Sequence, residues 1–321
     1  MRQQDYDGDL ECILVDDCTP DNSMIIAKSL IDSYHGPINF RILRNPENQG
    51  LSCSRNNGMS IAKGDYVFFL DSDDHISNNC IFCLFKQLYL YDYEIDMVVG
   101  NSFECRSDTC WRKQEDGVVV LHDHIEIMRN FLRRQIPMMA WNKLIRRDVL
   151  LSNNLEFVPQ MIHEDELWSF QLYNVVKSVI LIPEVTYYYE QNENSIMNSP
   201  TYVYHRVEAC HTLVYKMIES LVDRELYIEK FFWGISMFML AEDMLFGNNL
   251  PSNLVEKNRI LRKQMIYRTI NDGRVLIFVF LLLTIMPPCC YLIRFGWFRH
   301  KYHVIRSLFK KIAFVFNFVH R

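Results

Sequence analysis

Three groups of side chains in this 321-residue chain have the types and spacing of a reaction centre. The first is Asp71-Ser72-Asp73-Asp74, directly after the apolar run Tyr66-Val67-Phe68-Phe69-Leu70. Carboxylates two residues apart at a strand end lie on one side of the pleat. Hard cations such as Mg2+ or Mn2+ bind carboxylate oxygens and share the remaining positions with substrate phosphates. An acidic turn capping the next helix has the same composition. The second group is Asn48-Gln49-Gly50-Leu51-Ser52, continuing to Arg55 and Asn56. Gly50 allows a tight turn into a helix start, which favours an anion. Arg55 could then reach a phosphate or brace an acidic pocket; a capped helix with an exposed arginine reads the same way. The third is Glu164-Asp165, followed by Leu167, Trp168 and Phe170. The apolar residues would anchor a helix whose start presents the carboxylates, and a carboxylate there could take the proton of an attacking hydroxyl. Ordinary acidic enrichment of a first helical turn is the alternative. Cys80 and Cys83 form a lone CxxC pair without a second one, which fits small buried residues in a helix better than a zinc site.

These groups need a frame, and the periodicity supplies one. Apolar runs at 12–15, 40–43, 66–70 and 97–99 read as strands. Helical spacing covers 21–34, 51–62, where Gly64 stops it, and 78–90. Strands alternating with helices predict an α/β fold with a mainly parallel sheet and right-handed crossovers. Ligands bind such sheets at the carboxyl ends of the strands. Two strands end there in acidic clusters, Asp16-Asp17 and Asp71 to Asp74. Further strands are expected at 117–121, 179–182 and 185–189, the last two separated by Pro183. Residues 202–246 have a helical pattern.

Charge is unevenly divided. Residues 1–255 carry 21 Lys/Arg against 37 Asp/Glu, whereas residues 256–321 carry 13 Lys/Arg and only Glu256 and Asp272. An acidic body argues against nucleic acid as a partner, and a basic tail points to an anionic surface. Residues 275–293 are uncharged, near the ~20 apolar residues a spanning helix needs, but Pro287-Pro288 would break them. Val304, Ile305, Leu308, Phe309 and Ile312 interleave with Arg306, Lys310 and Lys311, the pattern of a basic amphipathic helix on a membrane. A helical hairpin packed on the body is the other reading of the tail. Residues 1–11 have neither a basic nor an apolar run, so no signal peptide is expected. Ten cysteines without framework spacing suit a reducing compartment.

Taken in order, Ile13-Leu14-Val15-Asp16-Asp17, Asn48-Gln49-Gly50-Leu51-Ser52 with Arg55-Asn56, Gly64 through Asp74, Trp141-Asn142-Lys143-Leu144 and His163-Glu164-Asp165 strongly resemble glycosyltransferase family 2 over about residues 4–200. The resemblance implies a GT-A-type, Rossmann-like sheet flanked by helices, with a C-terminal helical region. Together with the charge and apolar pattern of the tail, it divides the chain into an N-terminally truncated catalytic domain at 1–200, a helical extension at 201–270 and a membrane-associating tail at 271–321. It also implies inverting transfer from a nucleotide-diphosphate sugar, UDP-linked, to a glycan or lipid-linked acceptor in surface-polysaccharide synthesis at the cytoplasmic face of the cell membrane. Asp17, with Asp16 before it, matches the aspartate that meets the nucleotide base. Arg55 matches the arginine near the diphosphate. Asp71 and Asp73 match the DxD motif, with Asp73 on the divalent cation (Mn2+ or Mg2+) and Asp71 nearer the ribose. Asp165 matches the catalytic base, Glu164 its neighbour, and Trp141 and Asn142 would shape the acceptor side.

In one respect the chain departs from that pattern. The family opens with an apolar strand, a turn and a helix ahead of the equivalent of residues 10–15, and Met1 falls near the end of that helix. The expectation is a domain lacking the family's central first strand, with neighbouring strand edges left open. An inactive, glycosyltransferase-like binding protein is therefore a second reading. A nucleotidyltransferase would require a Gly-rich basic loop, and Cys18-Thr19-Pro20-Asp21-Asn22 is not one.

Overall fold

The computed structural model describes residues 1–112, 117–191, 201–221, 226–248 and 250–271. The apolar and amphipathic tail segments expected at 275–293 and 298–319 lie outside the described residues. Among the described residues, no helix is long and apolar enough to cross a membrane. The chain divides into two compact units, Met1–Asn258 and Arg259–Arg321.

The N-terminal half alternates as the periodicity predicts: β1 Glu11–Asp16, α1 Ser23–Asp32, β2 Asn39–Arg44, α2 Leu51–Ile61, β3 Tyr66–Phe68, β4 His75–Ile76, α3 Cys80–Phe85 and β5 Met97–Glu104. Then come β6 Thr109–Cys110, β7 Val119–Leu121, α4 His124–Leu132, β8 Lys143–Arg146, α5 Arg147–Ser152, α6 Glu164–Tyr173 and β9 Val179–Tyr189. Helices α7 Tyr202–Glu219 and α8 Tyr227–Gly247 follow. Helix α9, Ser252–Asn271, begins in the first unit.

The α/β class holds, but the sheet is not mainly parallel. β1 and β2 form a separate two-stranded parallel sheet. The other seven strands form a mixed sheet in the order β3-β8-β5-β9-β4, with β6 on β5 and β7 on β9. Only β5 and β9 pair in parallel there; the remaining pairs are antiparallel. The reason lies in β8. It runs against both β3 and β5, so those two strands point the same way, as their helical crossover requires, yet are not neighbours. Strand–helix alternation sets the direction of β3 and β5 but not which strands are neighbours. The two strands expected either side of Pro183 are one strand, β9, which absorbs the proline where its pairing with β5 shifts register.

Among the described residues β1 bonds only to β2, and β3 only to β8, so each has a free edge. The two sheets are joined through side chains instead. Glu11 of β1 accepts from the backbone N–H groups of Lys63 and Gly64 just ahead of β3. Asn56 of α2 exchanges two hydrogen bonds with the backbone of Phe157, at 2.8 and 2.9 Å. Residues 1–10 lie along α3: Gln4 bonds Ser77 and Ile81, and Tyr6 meets Phe85 edge-on.

β5 is buried on both faces, as a strand covered on both sides should be. Val98 faces α3 in a cluster with Leu84, Ile95, Leu144, Ile180 and Ile182, where Cys80 and Cys83 are also buried as free thiols. On the opposite side, Phe69 and Phe157 pack on Trp168, which is 1% exposed and stacks on Phe157 at 4.5 Å. Leu167, Trp168 and Phe170 thus anchor α6 as their spacing predicts.

Candidate active site

The site is assembled from α2, the end of β3 and the start of α6. Gly50 adopts φ 85°, a left-handed conformation that glycine reaches without strain, and turns the chain into α2. One turn later Arg55 points inward and is 9% exposed. Its Nη2 donates to Asp71 Oδ1 at 2.7 Å and its Nη1 donates to Glu164 Oε1 at 2.6 Å. The guanidinium also lies 5.1 Å from the Phe157 ring centroid. Both carboxylates strengthen its positive charge against the burial that opposes it. Residues 109 positions apart in sequence, Arg55 and Glu164, are thereby fixed on one another.

The first turn of α6 carries Glu164, Asp165 and Glu166, at the end of the helix whose dipole favours negative charge. Successive residues point about 100° apart, and the three carboxylates go three ways. Glu164 takes Arg55. Glu166 takes Arg206 of α7 in a buried bidentate pair, at 2.7 and 3.0 Å. No hydrogen bond or ion pair holds Asp165 among the described residues. Burial, then the charge of Glu164, pushes its carboxyl up to about 7, against the pull of Arg55 and Lys143. A half-buried residue whose carboxyl is so tuned is suited to accept a proton near neutral pH.

The other residues singled out in the sequence fall around this centre. Asp16 is buried, accepts from Thr19 N and faces Arg44 at 3.4 Å. Asp17 accepts from Gln49 N, Gly50 N and the Asn45 amide at 2.7–2.8 Å, so it clamps the 45–50 loop; these bonds hold its carboxyl below the usual range against desolvation. Asp73 is exposed beside Asp71. Asp74 is turned away, accepting from Tyr187 Oη at 2.6 Å and Glu190 N at 2.8 Å. Trp141 stacks on Tyr187 at 4.3 Å and on Tyr189 at 5.9 Å. Asn142, at φ 59° and 2% exposed, lies behind it. Its amide donates to Asn101 O and accepts from Thr186 Oγ1, and its carbonyl accepts from Gly100 N. Asn142 therefore ties β5 to β9 rather than lining the cleft.

No group of three or more His, Cys, Asp or Glu side chains among the described residues is arranged to hold a metal. The donor set of Asp71 and Asp73 still fits a hard cation. Magnesium-type ions take one or two protein carboxylates and complete their shell with phosphate oxygens and water. Asp71 uses one oxygen on Arg55 and keeps the other, and Asp73 is exposed.

Tyr187 and Phe157 belong to the site and carried no signal in the sequence. Of the run Tyr187-Tyr188-Tyr189 only Tyr187 is buried, and only its partners reveal that it anchors Asp74 and accepts from Asp71 N at 3.3 Å.

An acidic strand end tethered by an arginine to a carboxylate-bearing helix start, on a helix-flanked sheet, defines a GT-A-type α/β protein. Solved structures agree on the fold: the chain superposes on S. aureus TarS 1–349 with a TM-score of 0.59 at 16% identity, covering 83% of this chain and 74% of that one. The complex of the same protein with UDP-GlcNAc gives 0.55, covering 85% of each. Residues 1–152 match the family Glycosyl transferase family 2 and carry that domain. It is 27% identical over 197 residues to the uncharacterized glycosyltransferase YibD of Escherichia coli K12, covering 57% of this chain and 54% of YibD. It is 35% identical over 104 residues to the poly(ribitol-phosphate) beta-N-acetylglucosaminyltransferase TarP of Staphylococcus aureus, covering 32% and 28%. The chain spans between about half and two thirds of the length of the first curated relatives it matches.

Proposed function

We propose that this chain is a glycosyltransferase that moves a sugar from a UDP-linked donor to a hydroxyl of a surface glycan, with inversion. The observation that carries the reading is the partition at the start of α6: Glu164 and Glu166 are neutralised by arginines, and Asp165 alone is left free beside them. Asp165 takes the proton of the attacking acceptor hydroxyl. Glu164 supports it through Arg55, which keeps the Asp71 strand end and the α6 start in one place. Asp71 and Asp73 would hold a Mn2+ or Mg2+ ion together with the donor phosphates, and a bound cation supplies charge neutralisation to the leaving diphosphate. Asp16 and Asp17 hold the loop on the nucleotide side. The Trp141–Tyr187–Tyr189 stack offers the acceptor an aromatic wall. A UDP-linked donor and a polysaccharide acceptor are supported by the complex of TarS with UDP-GlcNAc and by the likeness to TarP.

The test is calorimetric binding of UDP with and without Mn2+, followed by UDP release from UDP-GlcNAc. Metal-dependent binding with release abolished by Asp165→Asn is expected; absence of binding under both conditions refutes the reading. Binding without release would favour the inactive binding protein, a reading supported by the free edges of β1 and β3. The basic composition of residues 256–321 supports a place at the cytoplasmic membrane face. Deleting residues 275–321 should move the protein to the soluble fraction, and an unchanged membrane fraction would end that idea.

A further inference from the structure

The motif Trp141-Asn142-Lys143-Leu144 contains one charged residue that the reading above leaves without a role. Lys143 opens β8 and pairs with Val99 of β5. Strand alternation sends Leu144 to the α3 cluster and Lys143 to the opposite face. The lysine is fully buried, and its Nζ has no hydrogen-bond partner among the described residues. It lies over the Tyr173 ring, 5.9 Å from the centroid. On α6, Asp165, Ser169 and Tyr173 follow at intervals of four and share one helix face. Ser169 and Tyr173 of that face are satisfied by the carbonyls of Met138 and Pro137. Asp165 is not.

A buried ammonium without an acceptor is costly unless an opposite charge compensates it. The charged groups acting on Lys143 are Asp165 from α6, which favours its protonation, and Arg55 from α2, which opposes it. Those acting on Asp165 are Glu164 and Glu166 on its own helix, Arg55 from α2, and Lys143 from β8. Arg55 is already bonded to Asp71 and Glu164, whereas among the described residues Lys143 has every donor free. Burial disfavours the charged form of both groups, and the opposite charge of each is what offsets that cost for the other.

We propose that Lys143 is a positioning residue for the reaction, a buried counter-charge on the β8 side of α6 that favours the deprotonated form of Asp165. The inference rests on Asp165 being the base of the proposed transferase, but its test is separable. In the full chain labelled with 13C at the aspartate carboxyl, the Asp165 resonance is identified by its loss in Asp165→Asn and titrated by NMR. Lys143→Met should raise the Asp165 midpoint by at least about one pH unit, and Lys143→Arg, which keeps the charge, should leave it within a few tenths of the parent. If UDP release from UDP-GlcNAc is present, the acid limb of kcat should move with that midpoint while the KM for the donor stays unchanged. Absence of turnover in the parent refutes the transferase and leaves the titration to decide on Lys143. An Asp165 midpoint unmoved in folded Lys143→Met overturns the proposal. If Lys143→Met does not fold, the Asp165→Asn/Lys143→Met double variant decides. Recovery of folding supports a mutual pair, and failure to recover overturns it.

Discussion

Replacing Arg55 with alanine tests the centre of the structure. The guanidinium is 8% exposed and holds Asp71 and Glu164, whose side chains are 23% and 12% exposed. Removing one member of a buried ion pair costs about 3–5 kcal/mol, because the partner is left charged and desolvated. Here two partners lose their cation, but Asp71 can rehydrate in part, which places the expected loss at about 3 kcal/mol. For a unit of this size each kcal/mol lowers Tm by about 2–4 °C, giving a fall of about 6–12 °C in circular-dichroism melts of Arg55→Ala. The mechanism makes a second demand. Glu164→Gln, which removes one stranded charge, should destabilise the parent but recover about 1 kcal/mol in the Arg55→Ala background. A fall in Tm below about 2 °C, or strict additivity of the two substitutions, would refute the ion-paired account of the site.

Asp165→Asn should abolish transfer and stabilise the fold above neutrality. Its carboxyl is raised in the folded state to about 7, so the parent loses stability as pH rises from about 4 to about 7. The asparagine variant lacks that loss, so the two should coincide in urea melts near pH 4 and differ by about 1–3 kcal/mol at pH 8, after allowing for the coupling to Lys143. A difference independent of pH would contradict the assignment. Tyr187→Phe removes the hydroxyl that donates to Asp74 and accepts from Asp71 N. It should cost about 1–3 kcal/mol and weaken Mn2+-dependent UDP binding in calorimetry. In Gly100→Ala the new Cβ would stand 1.9 Å from Thr186 Oγ1 and 2.7 Å from Asn142 Oδ1. A loss of at least about 1–3 kcal/mol is expected in urea melts, with UDP affinity less affected because Asn142 lies behind the cleft.

Legibility in the sequence followed how local each determinant is. β1, α2 and the α6 anchor were readable because a strand, a glycine-started helix and an apolar Leu167-Trp168-Phe170 face are set within a few residues. The positions of the acidic clusters were readable because each follows directly on an apolar strand. β8 was not, because its insertion between β3 and β5 depends on non-local pairing that four residues cannot announce. Asn142 looked like a cleft residue because a polar side chain beside a tryptophan gives no hint of a left-handed backbone or of the Asn101 and Thr186 partners that bury it. Lys143 was passed over for the converse reason: a lysine in a short strand reads as surface until burial is seen. Asp74, third carboxylate of its cluster, is indistinguishable in sequence from Asp71 and Asp73, and only Tyr187 separates it from them.

The gap in pairing between β1 and β3 has a dynamic consequence. A continuous sheet would transmit force through a backbone ladder, whereas here the lobe of β1, β2, α1 and α2 is fastened by Arg55, Asn56 and Glu11. Of these three fasteners only Arg55 is an ion pair, while Glu11 and Asn56 hold backbone groups, so the lobe is held by few bonds and should loosen first. Its amides would then exchange with deuterium ahead of those in β5 and β9, and a phosphate-rich ligand lodged against Arg55 would slow that exchange by stapling the lobes together.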